Sequence, residues 1–281
     1  MVSDSPVLIF GADGQLGRAL QASAEGRRLA LSAEARCDLR DAFAVSQLVR
    51  TVRPAWIVNA AAYTAVDRAE SEIGIAYGVN RDGAANLARA ALETGSRLIQ
   101  ISTDYVFDGE SLRAYHEFDL PNPLSAYARS KLAGETAVRD LSPRHYIVRT
   151  AWLYGAGRRN FAQTMLGLAD RPEVRVVSDQ FGSPTYVPHL AGAIAVLVET
   201  GAFGTYHLAG GGGTSWYGLT CALYAAFGIS TAIRAVPSAE LARPARRPRY
   251  SVLTTLQSPS IQLPPWEEGV RELARAVRSA P

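Results

Sequence analysis

The chain has 281 residues, 48% of them hydrophobic and 20% charged, with a net charge of +3. That length allows one large domain or two closely packed ones around a substantial core, and the mild, mixed charge gives no basis for a nucleic-acid partner. Two distant cysteines, Cys37 and Cys221, and four scattered histidines leave no disulfide framework, thiolate cluster or HExxH site, so no metal is expected. The first apolar run is only VLIF, too short for a signal-peptide core, and LAGAIAVLV from Leu190 is far below the ~20 residues that span a bilayer. These features read as a cytoplasmic protein with no membrane partner.

In chain order, VLIF (7–10) is an apolar strand and QLGRALQASAEG (15–26) a helix ended by glycine. RLALS (28–32) is a second strand, DAFAVSQLVRTVR (41–53) a helix with Asp41 as N-cap, and AWIVNAA (55–61) a third strand. A long helix is predicted over 75–95, a strand over RLIQIST (97–103), a helix over 125–141 capped by Ser125, and a strand over HYIVRT (145–150). Continuous apolar strands alternating with helices predict an α/β fold, a doubly wound parallel sheet of the Rossmann kind. After Thr150 glycine, proline and aromatics become frequent. Strands are predicted at 174–178 and 205–210, helices at 189–201, 216–228 and 266–277, and a basic, proline-rich loop at RPARRPRYS (243–251). GGGG at 210–213 is short enough to be a flexible loop.

Gly11, Gly14 and Gly17 in IFGADGQLGRAL stand between a strand and a helix. That placement suits a tight turn, close backbone approach to a pyrophosphate, and a helix N-terminus that favours anions. The second strand ends near Ser32 with no carboxylate at its tip. Ser32 and Arg36 are suited to a 2′-phosphate and Glu34 opposes it, so NADPH is favoured with NADH possible.

YARSKLAGE (127–135) places Tyr127 and Lys131 four apart, on one helix face. A neighbouring ammonium favours a phenolate, so the pair is suited to delivering a proton to a carbonyl oxygen that takes up hydride. Thr103 ends the strand just upstream, and strand C-termini form the ligand crevice of such sheets.

Together these elements resemble the extended short-chain dehydrogenase/reductase superfamily. Longer blocks resemble one family within it, the dTDP-4-dehydrorhamnose reductases: GADGQLG (11–17), NAAAYTAVDRAE (59–70), VNRDGAANLA (79–88), ISTDYVFDG (101–109), RTAWLYG (149–155), NFAQTML (160–166), DQFGSPTY (179–186) and RPRYSVL (247–253). The resemblance implies a Rossmann domain over 1–150, to which the chain returns around 186–210, and a smaller C-terminal α/β domain, mainly 151–281, for a nucleotide-sugar substrate. It implies that Gly11, Gly14, Gln15, Leu16 and Gly17 serve the cofactor pyrophosphate, Asp38 and Leu39 flank the adenine, and Ala62, Tyr63 and Thr64 line the cofactor. Tyr127 is then the proton donor. Lys131 holds the nicotinamide ribose and lowers the tyrosine pKa. Thr103 tunes the tyrosine and contacts the sugar beside Asp104, and Trp152 packs on the sugar.

Magnesium occurs with some relatives through an acidic residue two positions past the last motif glycine; here that position is Ala19, and no metal site is expected. Tyr105 and Phe107 fit either pocket walls or simple packing, Asp67 and Glu70 read as structural or helix-surface charges, and Trp216 reads as core. The arginines of RPARRPRY fit either a nucleotide diphosphate or a solvated loop. Two functional alternatives stand beside 4-keto reduction of dTDP-4-dehydro-β-L-rhamnose: a sister reductase of the dihydrostreptose type, and a non-catalytic regulatory subunit resembling that of methionine adenosyltransferase. Oligomeric state is open between monomer and homodimer.

Overall fold

The computed structural model describes residues 6–24, 31–32 and 37–279. Its centre is a six-stranded parallel sheet. The first half of the chain supplies β1 (Val7–Phe10), α1 (Gln15–Ala24), β2 (Leu31–Ser32), α2 (Ala42–Val52), β3 (Trp56–Asn59), α3 (Ile73–Tyr77), α4 (Gly83–Thr94), β4 (Arg97–Thr103), α5 (Ala126–Leu141) and β5 (His145–Thr150). The second half supplies β6 (Leu153–Tyr154), α6 (Phe161–Leu166), β7 (Glu173–Val177), β8 (Phe181–Gly182), β9 (Thr185–Tyr186), α7 (Val187–Thr200), β10 (Gly204–His207), β11 (Thr214–Ser215), α8 (Trp216–Phe227), β12 (Ala232–Val236) and α9 (Trp266–Arg278). The large sheet runs β10-β5-β4-β3-β1-β2.

Both faces of the sheet are covered, which is why its strands are unbroken apolar runs. Val7 and Ile9 point into one core with Leu16 and Leu20 of α1 and Leu190, Ile194 and Leu197 of α7. Their neighbours Leu8 and Phe10 point into the other, with Val45 and Val49 of α2, Leu87 and Ala91 of α4 and Val138 of α5. α7 and β10 come from late in the chain yet lie with this sheet, β10 parallel to β5. A third core joins Met165 of α6, Val174 and Val176 of β7, Leu219 and Leu223 of α8 and Leu273 of α9.

The expected helix over 75–95 begins at Ile73 and contains a π-helical turn, Gly78–Asp82, before α4. Asp41 and Ser125 cap α2 and α5, each accepting a bond from the backbone amide three residues on. The ends of the predicted first helix and second strand, and the Glu34 and Arg36 side chains with them, lie outside the described residues, as does the side chain of Ser32.

The glycine run 210–213, expected as a flexible loop, is a tight junction at its two ends. A Cβ on Gly210 would stand 2.1 Å from the carbonyl oxygen of Pro184, and one on Gly213 would stand 2.5 Å from Val252. The Gly210 amide donates to Thr185 Oγ1 (3.1 Å) and the Gly211 amide to Pro264 O (2.9 Å). Glycine is required there because two segments cross with no room between them.

Candidate active site

The sheet changes direction between β1 and β3, which follow one another in space but not in the chain. Ligands of open α/β sheets bind at that switch point. The glycine turn sits on it. Gly11 has φ +79°, and a Cβ there would meet the Ala61 amide nitrogen at 2.6 Å. Gly17 faces back into the turn, where a Cβ would stand 2.3 Å from Gly11 O. These two glycines let α1 start directly against the ends of β1 and β3. A Cβ on Gly14 would meet only Gly11 O, at 3.1 Å, so its outer side is open. The first-turn amides of α1 have no carbonyl partner within the helix, so the turn and the helix start make a cradle for a pyrophosphate.

Around this cradle the expected residues divide. Leu16 is buried in the core beneath α1. The Gln15 side chain accepts a bond from Asn160 Nδ2 at 2.8 Å and so touches the N-cap of α6. Asp38 is exposed, and its bonds from Arg40 hold its carboxyl down to about 2. Leu39 turns its side chain into the core under α4, and its carbonyl accepts from Asn86 (2.9 Å). Only its backbone edge is left to meet an adenine.

Ala62, Tyr63 and Thr64 follow β3, and their course is fixed by a residue that sequence reasoning did not single out. Asn80, 3% exposed in the π-helical turn, accepts from the Tyr63 amide at 2.9 Å and donates to Tyr63 O at 3.1 Å. It also donates to Ser130 Oγ on α5 at 2.9 Å. One buried amide thus joins the loop after β3 to the helix that carries Tyr127 and Lys131. No local pattern marks it; the contacts span 17 and 50 residues.

Thr103, Asp104, Tyr127 and Lys131 come together where β4 meets α5. Tyr127 is 9% exposed and Lys131 4%. Glu70, read as a structural or helix-surface charge, has a structural contact: it accepts from the Ala126 amide (2.8 Å) and so caps α5 one residue before Tyr127. Burial raises the Tyr127 phenol above its ordinary value, Asp104 and Tyr105 add to the rise, and a hydrogen bond with Thr103 opposes it. Burial also brings the Lys131 ammonium down to about 8, with Glu135 opposing.

The expected lowering of the phenol by Lys131 is not found. The ammonium donates to Ile101 O at 2.7 Å, at the end of β4, and the influences on Tyr127 do not include it. Thr103, not Lys131, is the group that favours the phenolate here. Beneath the pair, Glu135 is fully buried and held by both nitrogens of the Arg149 fork, 2.7 Å at the closer, and by Ser102 Oγ at 2.5 Å.

Tyr105 lies edge-on to Tyr127, ring centroids 6.1 Å apart, and forms a wall of a cavity of about 610 Å³. The other walls include Phe161, Met165, Gln180, Trp216 and four arginines, Arg175, Arg243, Arg246 and Arg247. Trp216, expected in the core, is half-buried on this wall and stacks flat on Trp152 at 3.4 Å. Trp152 holds a left-handed backbone, φ +46°, and its indole lies against Gly182, where a Cβ would stand 2.4 Å away. A bulky residue in that conformation is strained, a cost tolerated where the surroundings fix it.

The basic segment is a strap over this cavity. Arg247 forms a two-pronged pair with Asp67 (2.9 and 2.8 Å), so Asp67 is the anchor that joins the strap to the loop after β3. Among the described residues no three His, Cys, Asp or Glu side chains are grouped to hold a metal ion, and no helix is long and apolar enough to cross a membrane.

The sequence matches the RmlD substrate binding domain family over residues 5–279. The chain belongs to that family. It is 45% identical over 256 residues to a dTDP-4-dehydrorhamnose reductase of Streptomyces griseus, covering 88% of this chain and 84% of that one. The dTDP-4-dehydrorhamnose reductase of Salmonella typhimurium is 39% identical over 95% of this chain and 96% of its own. Among solved structures, dTDP-4-dehydrorhamnose reductase of Bacillus anthracis in complex with NADP superposes with a TM-score of 0.94 at 38% identity, covering 97% of this chain and 99% of that one. This RmlD-family chain is therefore similar to those enzymes in sequence, and to the Bacillus anthracis enzyme also in the course of its backbone.

Proposed function

We propose that the protein reduces the C-4 ketone of dTDP-4-dehydro-β-L-rhamnose to give dTDP-L-rhamnose. The observation that carries this reading is the juxtaposition of Thr103 and Tyr127 with an arginine- and aromatic-lined cavity, joined by Tyr105. A hydroxyl pair that handles one carbonyl oxygen opens onto a space suited to a base, a sugar and a diphosphate. NADPH is the preferred coenzyme on this reading, supported by the NADP complex of the Bacillus anthracis relative. When bound along the glycine turn it supplies the hydride.

The chain's own residues do the rest. The Gly11–Gly17 turn and the start of α1 receive the pyrophosphate, with Gly14 giving the closest backbone approach. The loop of Ala62, Tyr63 and Thr64, clamped by Asn80, forms the adjoining wall. Lys131 carries its charge toward the ribose, within reach of the β4 terminus. Tyr127 delivers its proton to the sugar oxygen as negative charge develops there, and Thr103 steadies both that oxygen and the resulting phenolate. The raised phenol pKa keeps Tyr127 protonated at neutral pH, as a donor must be. Trp152 and Trp216 pack against the sugar end. Arg175, Arg243 and Arg246 face the diphosphate, while Arg247 is held by Asp67 and shapes the strap. Residues 151–186 and 208–279 then form the substrate-binding part, and 187–207 belong with the nucleotide-binding sheet.

The test is oxidation of NADPH, and of NADH, by the purified chain with enzymatically prepared dTDP-4-dehydro-L-rhamnose, the product being identified by NMR. Turnover to dTDP-L-rhamnose is expected. Bound coenzyme without turnover of that sugar would overturn the reading.

A further inference from the structure

Asp104 has an unusual position for a carboxyl next to a reaction centre. It is 2% exposed, and no cation pairs with it among the described residues. Thr103 Oγ1 donates to its Oδ1 at 3.1 Å and Ser251 Oγ donates to its Oδ2 at 2.5 Å. Ser251 comes from 147 residues away, on the far end of the strap, and is itself buried. The strap there is fixed by backbone bonds on both sides. The Ser251 amide donates to Phe181 O (2.8 Å), the Phe181 amide to Arg249 O (2.7 Å) and the Tyr115 amide to Val252 O (2.8 Å). Ser251 is therefore held at Asp104, not resting there.

Thr103 has one hydroxyl proton and, besides the sugar oxygen, two acceptors within the protein for it. Its oxygen already accepts from the Tyr105 amide at 3.2 Å. The proton is claimed by Asp104 Oδ1 and, once Tyr127 has given up its own proton, by the Tyr127 phenolate. A carboxylate competes for that proton far better than a neutral carboxyl does. Ser251, by filling Oδ2, sets how strongly Asp104 competes.

We propose that Ser251 is a positioning residue for the proton-donating site: acting through Asp104, it determines whether the hydroxyl proton of Thr103 turns toward Asp104 or toward Tyr127. This rests on the reading of Tyr127 as proton donor. Burial pushes Asp104 up to about 7, and the Ser251 and Thr103 hydroxyls with the amides of Asp104 and Tyr105 pull it down. The titratable groups that feel Asp104 are Tyr127 on α5 and Tyr105 on the turn after β4, and it raises both. Arg243 and Arg247 of the strap act on Tyr105. Neutral Asp104 releases Thr103 to the phenolate, so turnover is favoured below the Asp104 pKa and declines as Asp104 ionises. Asp104 is on this view an internal acceptor and not a sugar ligand.

The experiment has two arms. In the first, carboxyl ¹³C NMR follows Asp104 in the ligand-free wild type, Ser251→Ala and Ser251→Thr, with Asp104→Asn giving the assignment. The wild-type carboxyl is expected to titrate near neutrality, higher in Ser251→Ala by about one unit through loss of a donor to the charged form, and back toward wild type in Ser251→Thr. In the second, kcat and KM for dTDP-4-dehydro-L-rhamnose are measured over about pH 5 to 9. The decline of kcat near neutrality should vanish in Asp104→Asn and move to higher pH in Ser251→Ala, with KM changed less than about threefold in both. An Asp104 that titrates in the ordinary carboxylate range, or does not move in Ser251→Ala, overturns the proposal. So does a loss carried by KM with a flat kcat, which would make Asp104 a sugar contact. If the wild type does not turn over this sugar at all, the proposed reaction fails, while the NMR arm still decides the link between Ser251 and Asp104.

Discussion

The β4–α5 crevice and the strap cavity adjoin at Tyr105, yet they are built from opposite materials. In the crevice Tyr127, Lys131 and Asp104 are buried, and burial is the largest influence on each. It brings Lys131 down to about 8 and Asp104 up to about 7, toward the neutral range where proton transfer is most efficient. In the cavity four arginines lie among aromatic walls, and Arg175, Arg243 and Arg246 are exposed. A dry pocket tunes acids and bases; an open charged one attracts and holds an anionic ligand. The difference teaches that changes in the crevice should act on the chemical step, and changes in the cavity on binding.

Three substitutions probe that division. The largest effect is expected beneath the crevice, at Arg149→Met. It leaves the fully buried Glu135 with Ser102 and, at 3.8 Å, the half-exposed Arg139 in place of its two-pronged partner, and removing one partner of a buried pair typically costs about 3–5 kcal/mol. Urea unfolding should show a loss of that size; a loss under about 1 kcal/mol would mean that the pair does not support α5. Next comes Arg247→Ala, which unties the strap from Asp67. We expect KM for the sugar nucleotide to rise about ten- to a hundredfold with kcat within about threefold, the pattern of lost uniform binding. A fall in kcat alone would place Arg247 in the chemistry instead.

The smallest effect is a pH trend at Lys131. Its ordinary value is 10.5 and burial lowers it to about 8 in the folded chain. Between these values the unfolded chain binds more protons, so stability should rise with pH across that window while any step that needs the ammonium weakens. Unfolding free energies measured at about pH 7.5 and pH 9.5 should show the rise in the wild type, and Lys131→Met should remove this contribution. An equal rise in both would assign it to another group.

Much of the crevice was legible in the sequence because its determinants are local. Tyr127 and Lys131 share a helix face by spacing alone, Ser125 caps their helix, and Thr103 ends an apolar strand. The parallel sheet was legible because strands covered on both faces carry no polar alternation. The cavity was not, since Phe161, Arg175, Trp216 and Arg243 lie on separate segments that only tertiary packing brings together. Trp216 looked like core because a tryptophan opening an apolar helix usually is. The contact that Lys131 makes depends on where a backbone carbonyl of β4 falls, and the 210–213 glycines looked loose because the segments crowding Gly210 and Gly213, at Pro184 and Val252, are remote in the chain. Spacing carries neither kind of information.

The most direct measurement of the division between the two regions is made on Tyr127→Phe, with coenzyme affinity by fluorescence titration and kcat read on the same preparation. Coenzyme affinity should stay within about threefold of wild type while kcat falls by about a thousandfold or more, since the substitution removes only the phenolic hydroxyl from the site. A kcat within tenfold of wild type would deny Tyr127 the role of proton donor, and with it the assignment of the chemistry to the β4–α5 crevice.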